Sequence, residues 1–245
     1  MEPKSKILAE LIEKANAIVF FGGAGVSTAS GIPDFRSATG LYNRKQHTNY
    51  SPETMLSYQF MINHPEEFYT YKRENLYFPD AKPNLAHLAL ARLESLHQDV
   101  TVITQNIDGL HQAAGSKNVL EIHGSLQRFY CMKCGRDYPA ALVWAGKGVP
   151  QCPACAWMVR PDVVLYGEML NERVMLQAQH AVRRADLMIV GGTSLVVYPA
   201  AGLLQDFHGR ALVLINRDPT PYDHTANYVF HEDLGDLLNK AIWQK

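Results

Sequence analysis

Short apolar runs recur along the chain at Ala17–Phe21, Val100–Thr104, Val163–Leu165, Leu187–Val190 and Leu212–Asn216. Aliphatic runs without polar alternation read as strands buried on both faces, the mark of a parallel sheet. Between them the spacing becomes helical. Ile7, Leu8, Leu11 and Ile12 share one face near the start. Leu85, Leu88, Ala89, Leu93 and Leu96 share another, and Val174, Met175, Ala178 and Val182 a third. Strands alternating with helices predict an open α/β sheet. Each run ends in polar or glycine-rich residues: Gly22-Gly23, Gln105-Asn106, Tyr166-Gly167-Glu168, Gly191-Gly192-Thr193-Ser194 and Asn216-Arg217-Asp218. Open α/β sheets bind ligands beyond the carboxyl ends of their strands, so these ends predict a single crevice.

Two stretches interrupt the alternation. Residues 39–84 are rich in Tyr, Asn, His, Pro and Phe, and predict helices and loops over the crevice. Residues 124–162 hold every cysteine of the chain. The expectation is a large domain from residues 1–38, 85–123 and 163–245, and a small domain made from the two insertions. A cleft between two such bodies is a natural binding site.

A chain of 245 residues can bury one large core, or a core and a satellite. A net charge of -1 argues against a general nucleic-acid or membrane-surface role. No apolar run reaches the length of a membrane span, and the N-terminal helix lacks the continuous apolar stretch of a secretory signal. The expected compartment is the cytoplasm.

The cysteines fall in two C-x-x-C pairs, Cys131-Met-Lys-Cys134 and Cys152-Pro-Ala-Cys155, separated by residues 135–151. This spacing predicts a tetrahedral zinc ribbon. Four thiolates fill the tetrahedron and leave no position for water, so such a zinc is structural. The alternative, two disulfides, does not suit a reducing compartment.

Candidate chemistry begins at Phe21-Gly-Gly-Ala-Gly-Val-Ser-Thr-Ala-Ser-Gly-Ile-Pro-Asp-Phe-Arg36. Glycines after a strand let the backbone approach a phosphate, and amides at the next helix start bind its charge. A plain dehydrogenase does not fit. Thr28 stands where a third glycine or alanine belongs, and no acidic strand end follows about twenty residues on.

Further segments follow in order: Thr104-Gln-Asn-Ile-Asp-Gly-Leu-His111, Glu121-Ile-His-Gly124 directly before the cysteine pairs, and Gly192-Thr-Ser-Leu-Val-Val-Tyr-Pro-Ala200. Together with the glycine turn and Gly31-Ile-Pro-Asp-Phe-Arg36 they closely resemble the sirtuins, NAD-dependent protein deacylases, from about residue 15 to about residue 220. The resemblance implies a Rossmann-like parallel-sheet domain and a smaller domain of zinc ribbon and helices formed by two insertions. It implies NAD as co-substrate, one structural zinc on Cys131, Cys134, Cys152 and Cys155, and acetylated lysine in proteins or peptides as substrate.

Residue by residue, the resemblance places the general base on His123, with Asn106 and Asp108 completing the catalytic set. Asn106 positions the ribose or a water, and Asp108 with the Ile107 backbone holds the nicotinamide carboxamide. The Ala24 and Gly25 amides cradle phosphates, with Ser27 and Thr28 beside them. Asp34, Phe35 and Arg36 belong to a cofactor loop, in which Phe35 shields the ribose carbon and Arg36 neutralises phosphate. Gln105 contacts a ribose, Gly192, Thr193 and Ser194 a phosphate or ribose, and Asn216 the adenosine ribose; Asp233 lies near the adenine. The acyl peptide enters between Val163, Val164, Leu165 and Tyr166 on one side and Val196 on the other. Sirtuins that favour acidic acyl groups carry Tyr and Arg three apart. Here Tyr69 is followed by Lys72 at the arginine position, which implies an uncharged acyl group such as acetyl. Mono-ADP-ribosyl transfer from the same NAD site is the alternative activity, and a nucleic-acid-binding zinc ribbon the alternative outside enzymes.

Overall fold

The computed structural model describes residues 3–37, 40–43 and 50–243. Residues 44–49, within the stretch expected to form helices and loops, lie outside the described residues.

Six parallel strands form the main sheet: β1 (Ile18–Gly22), β2 (Val100–Thr104), β3 (Val119–Glu121), β7 (Leu187–Gly191), β8 (Ala211–Ile215) and β9 (Tyr228–Phe230). Their order is β3-β2-β1-β7-β8-β9. The chain builds outward from β1 on one side, then returns to build outward from β7 on the other. The switch point therefore lies between β1 and β7, where such sheets bind ligands. Strands β1, β2, β7 and β8 are buried at every position, as their unbroken apolar runs require. Apolar clusters cover both faces, one around Phe20, Leu90 and Val213 and one around Phe21, Val182 and Leu214.

A second, antiparallel sheet has the order β5-β4-β6, from β4 (Gly124–Cys131), β5 (Asp137–Pro139) and β6 (Val159–Val163). A single apolar cluster joins it to the helices at Tyr58–Asn63 and Pro65–Asn75, through Phe60, Phe68, Tyr69, Phe129, Trp144 and Val159. Among the described residues no helix is long and apolar enough to cross a membrane.

Three local expectations are corrected. The run at Val163–Leu165 is not a strand of the main sheet; Val163 ends β6, paired with Gly124, and the chain then leaves as a loop. Apolar composition reports burial, not which sheet supplies the partner. The glycine turn leads into two short 3-10 turns, Ala24–Val26 and Thr28–Ser30, rather than an α-helix. The helix at Leu85–Leu96 buries Ala86, Ala89, Leu90 and Leu93, while Leu85, Leu88 and Leu96 are exposed. Leu85 and Leu88 face the cleft instead of the core.

Candidate active site

A cleft of about 2400 Å³ runs along the carboxyl ends of the main sheet and under the smaller sheet and its helices. Single-ligand pockets are usually under about 1,000 Å³, so this one has room for a dinucleotide and an extended peptide together. It is lined by Ala24, Gly25, Ser27, Thr28, Asp34, Phe35, Arg36, Gln105, Asn106, Ile107, Asp108 and His123. Val163, Val164, Leu165, Tyr166, Gly192, Thr193, Ser194, Asn216 and Asp233 complete the set expected there, but Val196 is absent from the lining and Val197 takes its place.

The floor is the meeting of the loops after β1 and β7. The Gly25 amide donates to the Gly192 carbonyl at 2.8 Å. A Cβ on Gly25 would press against Gly192 backbone at 2.8 Å, so the glycine serves loop-to-loop contact. That amide is spent within the protein and is not free for a phosphate. Gln105 Nε2 donates to Thr193 Oγ1 at 3.0 Å, tying the end of β2 to the same loop. Asn216 brackets Thr193, accepting from its amide at 3.1 Å and donating to its carbonyl at 2.7 Å.

Beside this floor lies a polar cluster. Ser27, 1% exposed, donates from Oγ to Asp108 Oδ2 at 2.7 Å and accepts from Asn106 Nδ2 at 3.0 Å. Asp108 Oδ1 accepts from the Leu110 amide at 2.9 Å, which fixes the carboxylate from its other side. The Ser27 side chain thus belongs with Asn106 and Asp108, while its backbone stays in the turn, the amide donating to the Ala24 carbonyl at 3.1 Å. Behind it sits His87, wholly buried, with Nε2 3.5 Å from Ser27 Oγ. The Asn84 amide donates to His87 Nδ1 at 3.2 Å, so the neutral ring carries its proton on Nε2, facing Ser27. The sequence reading missed His87. Its signal was the Asn84-x-x-His87 capping pattern at the helix start, with histidine where Glu or Gln is usual.

His123 lies between β3 and β4. Its Nδ1 donates to the Gln105 carbonyl at 3.0 Å, leaving Nε2 as the basic nitrogen of the neutral ring. Burial holds its pKa below the ordinary histidine value, against the opposing pull of that carbonyl. Gly124 follows with φ +78°, and a Cβ there would collide with the Asp162 carbonyl. The His-Gly pair is therefore a requirement of the entry into β4.

The segment after β6 is pinned by a buried guanidinium. Arg160, 5% exposed, donates to both Glu168 carboxylate oxygens at 2.6 and 2.7 Å and to the Val163 carbonyl at 2.8 Å. Glu168 accepts from the Leu165 amide at 2.9 Å. This clamp fixes the shape of residues 163–168 before any ligand arrives.

Two expected cofactor residues have structural duties. Asp34 Oδ1 accepts from the Arg36 and Ser37 amides at 3.1 and 2.8 Å, so it shapes its own loop. Asp233 accepts from Arg217 at 2.6 Å and from the Asp236 amide at 3.0 Å, at the start of the last helix.

The four cysteine sulfurs lie within 4.8 Å of one another, with Cys131 and Cys155 3.5 Å apart and Cys134 and Cys152 3.7 Å apart. A tetrahedron with zinc–sulfur bonds of about 2.3 Å has edges of about 3.8 Å. The cluster fits one structural zinc ion with no open position.

Residues 23–199 match the model of the Sir2 family. The NAD-dependent protein deacetylase of Clostridium perfringens (strain 13 / Type A) is 51% identical over 243 residues, covering 99% of this chain and 100% of that one. The enzyme of the same description from Cutibacterium acnes is 53% identical over 232 residues, 95% of each chain. A solved Sir2 structure with a p53 peptide and NAD+ superposes with a TM-score of 0.87 at 39% identity, covering 99% of this chain and 98% of that one. Another, Sir2 bound to acetylated peptide, superposes with a TM-score of 0.87 at 38% identity over the same shares. With its parallel sheet, its four-cysteine module and the cleft between them, the chain belongs to the Sir2 family.

Proposed function

We propose that the protein removes acetyl groups from lysine side chains of proteins or peptides, consuming NAD, releasing nicotinamide and passing the acetyl group to ADP-ribose. The observation that carries this is the convergence of the Ser27–Asn106–Asp108 cluster and a neutral, buried His123 on one cleft. The relatives are named for this activity over nearly their whole length.

In this reading Asp108 and the Ile107 backbone hold the carboxamide of nicotinamide, and Asn106 orients the adjoining ribose or a water. Their geometry is set before binding by Ser27, which lowers the cost of ordering at the reacting centre. His123 accepts a proton at Nε2 from the ribose hydroxyls, a task suited to an imidazole that stays neutral below its usual range. Phe35, half-buried against the small-domain cluster, keeps water from the ribose carbon. Arg36 faces the phosphates, with Ala24, Thr28 and the Gly192–Ser194 loop beside them. The peptide lies between Val163–Tyr166 and the loop at Val197, where backbone groups read its main chain. The Lys72 amine is buried without a hydrogen-bond partner among the described residues, and burial, reinforced by Arg160, lowers its pKa well below the ordinary lysine value. That supports an acetyl substrate.

In this reading the zinc ribbon, with the helices before it and Val163 at the end of β6, forms the small domain, and the rest of residues 1–38, 85–123 and 163–245 forms the large one. The compartment this reading favours is the cytoplasm, because a cluster of four cysteines that fits one zinc ion needs thiols kept reduced. The deciding experiment supplies NAD and an acetyl-lysine peptide to the purified protein. Matched production of nicotinamide and deacetylated peptide is expected. Absence of NAD consumption overturns the reading, and labelled ADP-ribose on protein without deacetylation redirects it to ADP-ribosyl transfer.

A further inference from the structure

Tyr42 and Tyr166 belong to segments far apart in the chain, and their hydroxyls meet at 2.6 Å. Tyr42 closes the loop that carries Phe35. Its amide donates to the Phe35 carbonyl at 2.9 Å, and its ring stands edge-on to the Phe35 ring at 5.6 Å. The Arg36 guanidinium lies over the same ring at 5.3 Å. Side chains brace the loop further: Asn43 Nδ2 donates to the Ser37 carbonyl at 2.7 Å, and Asp34 accepts from the Arg36 and Ser37 amides. These contacts hold Phe35 and Tyr42 in a fixed relation to each other.

Tyr166 stands in the segment clamped by Arg160 and Glu168. Its amide donates to the Leu56 carbonyl and its carbonyl accepts from the Tyr58 amide, both at 3.0 Å. Its side chain lines the cleft. One end of the tyrosine pair therefore belongs to the loop beside the ribose, and the other to the segment assigned to the acyl peptide. Burial, and then the bond to Tyr166, keeps the Tyr42 phenol protonated well above its ordinary range, so a proton for the bond is always present.

We propose that Tyr42 is a positioning residue: through its hydroxyl bond to Tyr166 it couples the placement of Phe35 over the ribose to the segment that receives the acyl peptide. The proposal rests on the deacetylase reading above. Coupling of this kind is reciprocal, so bound peptide tightens NAD binding and bound NAD tightens peptide binding by the same factor. Without the bond, Phe35 leaves the ribose carbon open to water for more of the time. The glycosidic bond to nicotinamide then breaks as water oxygen bonds to that carbon, the water proton passes to solvent, and no acetyl group is transferred. One neutral hydrogen bond changes such an equilibrium by about two- to tenfold.

The test compares wild type with Tyr42→Phe, Tyr166→Phe and the double variant, which keep both rings and remove only hydroxyls. Two quantities are measured: nicotinamide released per peptide deacetylated, and the Kd of NAD with and without acetylated peptide. Expected are equal amounts of both products in wild type and about a two- to tenfold excess of nicotinamide in each single variant. The peptide-dependent tightening of NAD is expected to shrink by a similar factor, and the double variant to be no worse than either single. A purely structural role lowers turnover without moving the product ratio. Unchanged ratio and coupling in the single variants overturn the proposal, as does full additivity in the double variant. A wild-type protein that deacetylates nothing removes the deacetylase reading, and the proposal with it.

Discussion

The His123 ring donates from Nδ1 to the Gln105 carbonyl at 3.0 Å, and this bond decides which nitrogen is basic. Burial lowers the pKa of the ring from 6.5. A lowered pKa keeps the base free below pH 6.5, so activity is retained through neutrality and falls only as pH drops through that lowered value. The acid limb of kcat/KM against pH is expected below 6.5. A limb above 6.5 contradicts this assignment. His123→Ala is expected to lose about 10²-fold or more in deacetylation with its thermal unfolding unchanged.

Ser27 joins Asn106 to Asp108, although 81 residues separate Ser27 from Asp108. Ser27→Ala removes the donor to a partly buried carboxylate and the acceptor for Asn106. Losses from such groups run at about 1–3 kcal/mol, so kcat/KM is expected to fall roughly 5- to 150-fold. Steady-state kinetics with both substrates measures it, and a wild-type value removes Ser27 from the machinery.

Acid is expected to destabilise the fold through two histidines. Burial pushes His87 down to about 4, opposed by Asp108, and burial with His87 nearby pushes His111 down to about 3. Unfolded, both return to about 6.5 and bind protons that the folded state refuses. Their contribution is thus complete above pH 6.5 and drains away as pH falls toward 4. Denaturant unfolding should show a loss of about 2 kcal/mol per histidine, about 4 kcal/mol for the two, between pH 7 and pH 5. His111, 1% exposed and without a hydrogen-bond partner for either ring nitrogen among the described residues, offers the control. His111→Leu should flatten the slope without loss at pH 7.

Removal of zinc, or Cys131→Ala, is expected to unfold the three-stranded sheet. The sheet is small, and its cluster includes Cys131 and Cys152 as packing residues. Trp144 reports the event: its ring stacks on Tyr77 at 4.6 Å and meets Phe129 edge-on at 5.4 Å. Near-ultraviolet circular dichroism should lose the Trp144 signal on chelation, with a destabilisation of about 4 kcal/mol or more.

The acyl pocket is expected to refuse acidic groups. The Tyr69 hydroxyl is spent on the Val159 carbonyl. Lys72 Nζ lies 5.2 Å from the Phe68 ring and 5.9 Å from the Trp144 ring, and burial, reinforced by Arg160, holds its pKa well below the usual value. An unpaired carboxylate entering this wall pays a desolvation cost. Acetyl-lysine peptide should be turned over roughly tenfold or more faster than succinyl-lysine peptide at equal concentration.

Much of the molecule was legible along the chain. Four of the five expected strands of the main sheet form where their apolar runs stand, and the cysteine pairs meet as their spacing implies. Short β3 and β9, with three residues each, were too brief to announce themselves. The apolar spacing at Leu85–Leu96 marks the helix but not its buried face, because Leu85 and Leu88 are apolar for the cleft rather than for the core.

The sequence by itself determined which segments are buried, where strands stop, and which residue types gather at their ends, because burial imprints a period on neighbouring positions. Tertiary structure alone decided partners. It took Val163 into the small sheet, spent the Gly25 amide on Gly192, and turned the Ser27 side chain to Asp108. It also set His87 behind Ser27 and brought Tyr42 against Tyr166. The physical reason is range: a hydrogen bond is decided within about 3 Å in space, and no local pattern records which distant residue arrives there.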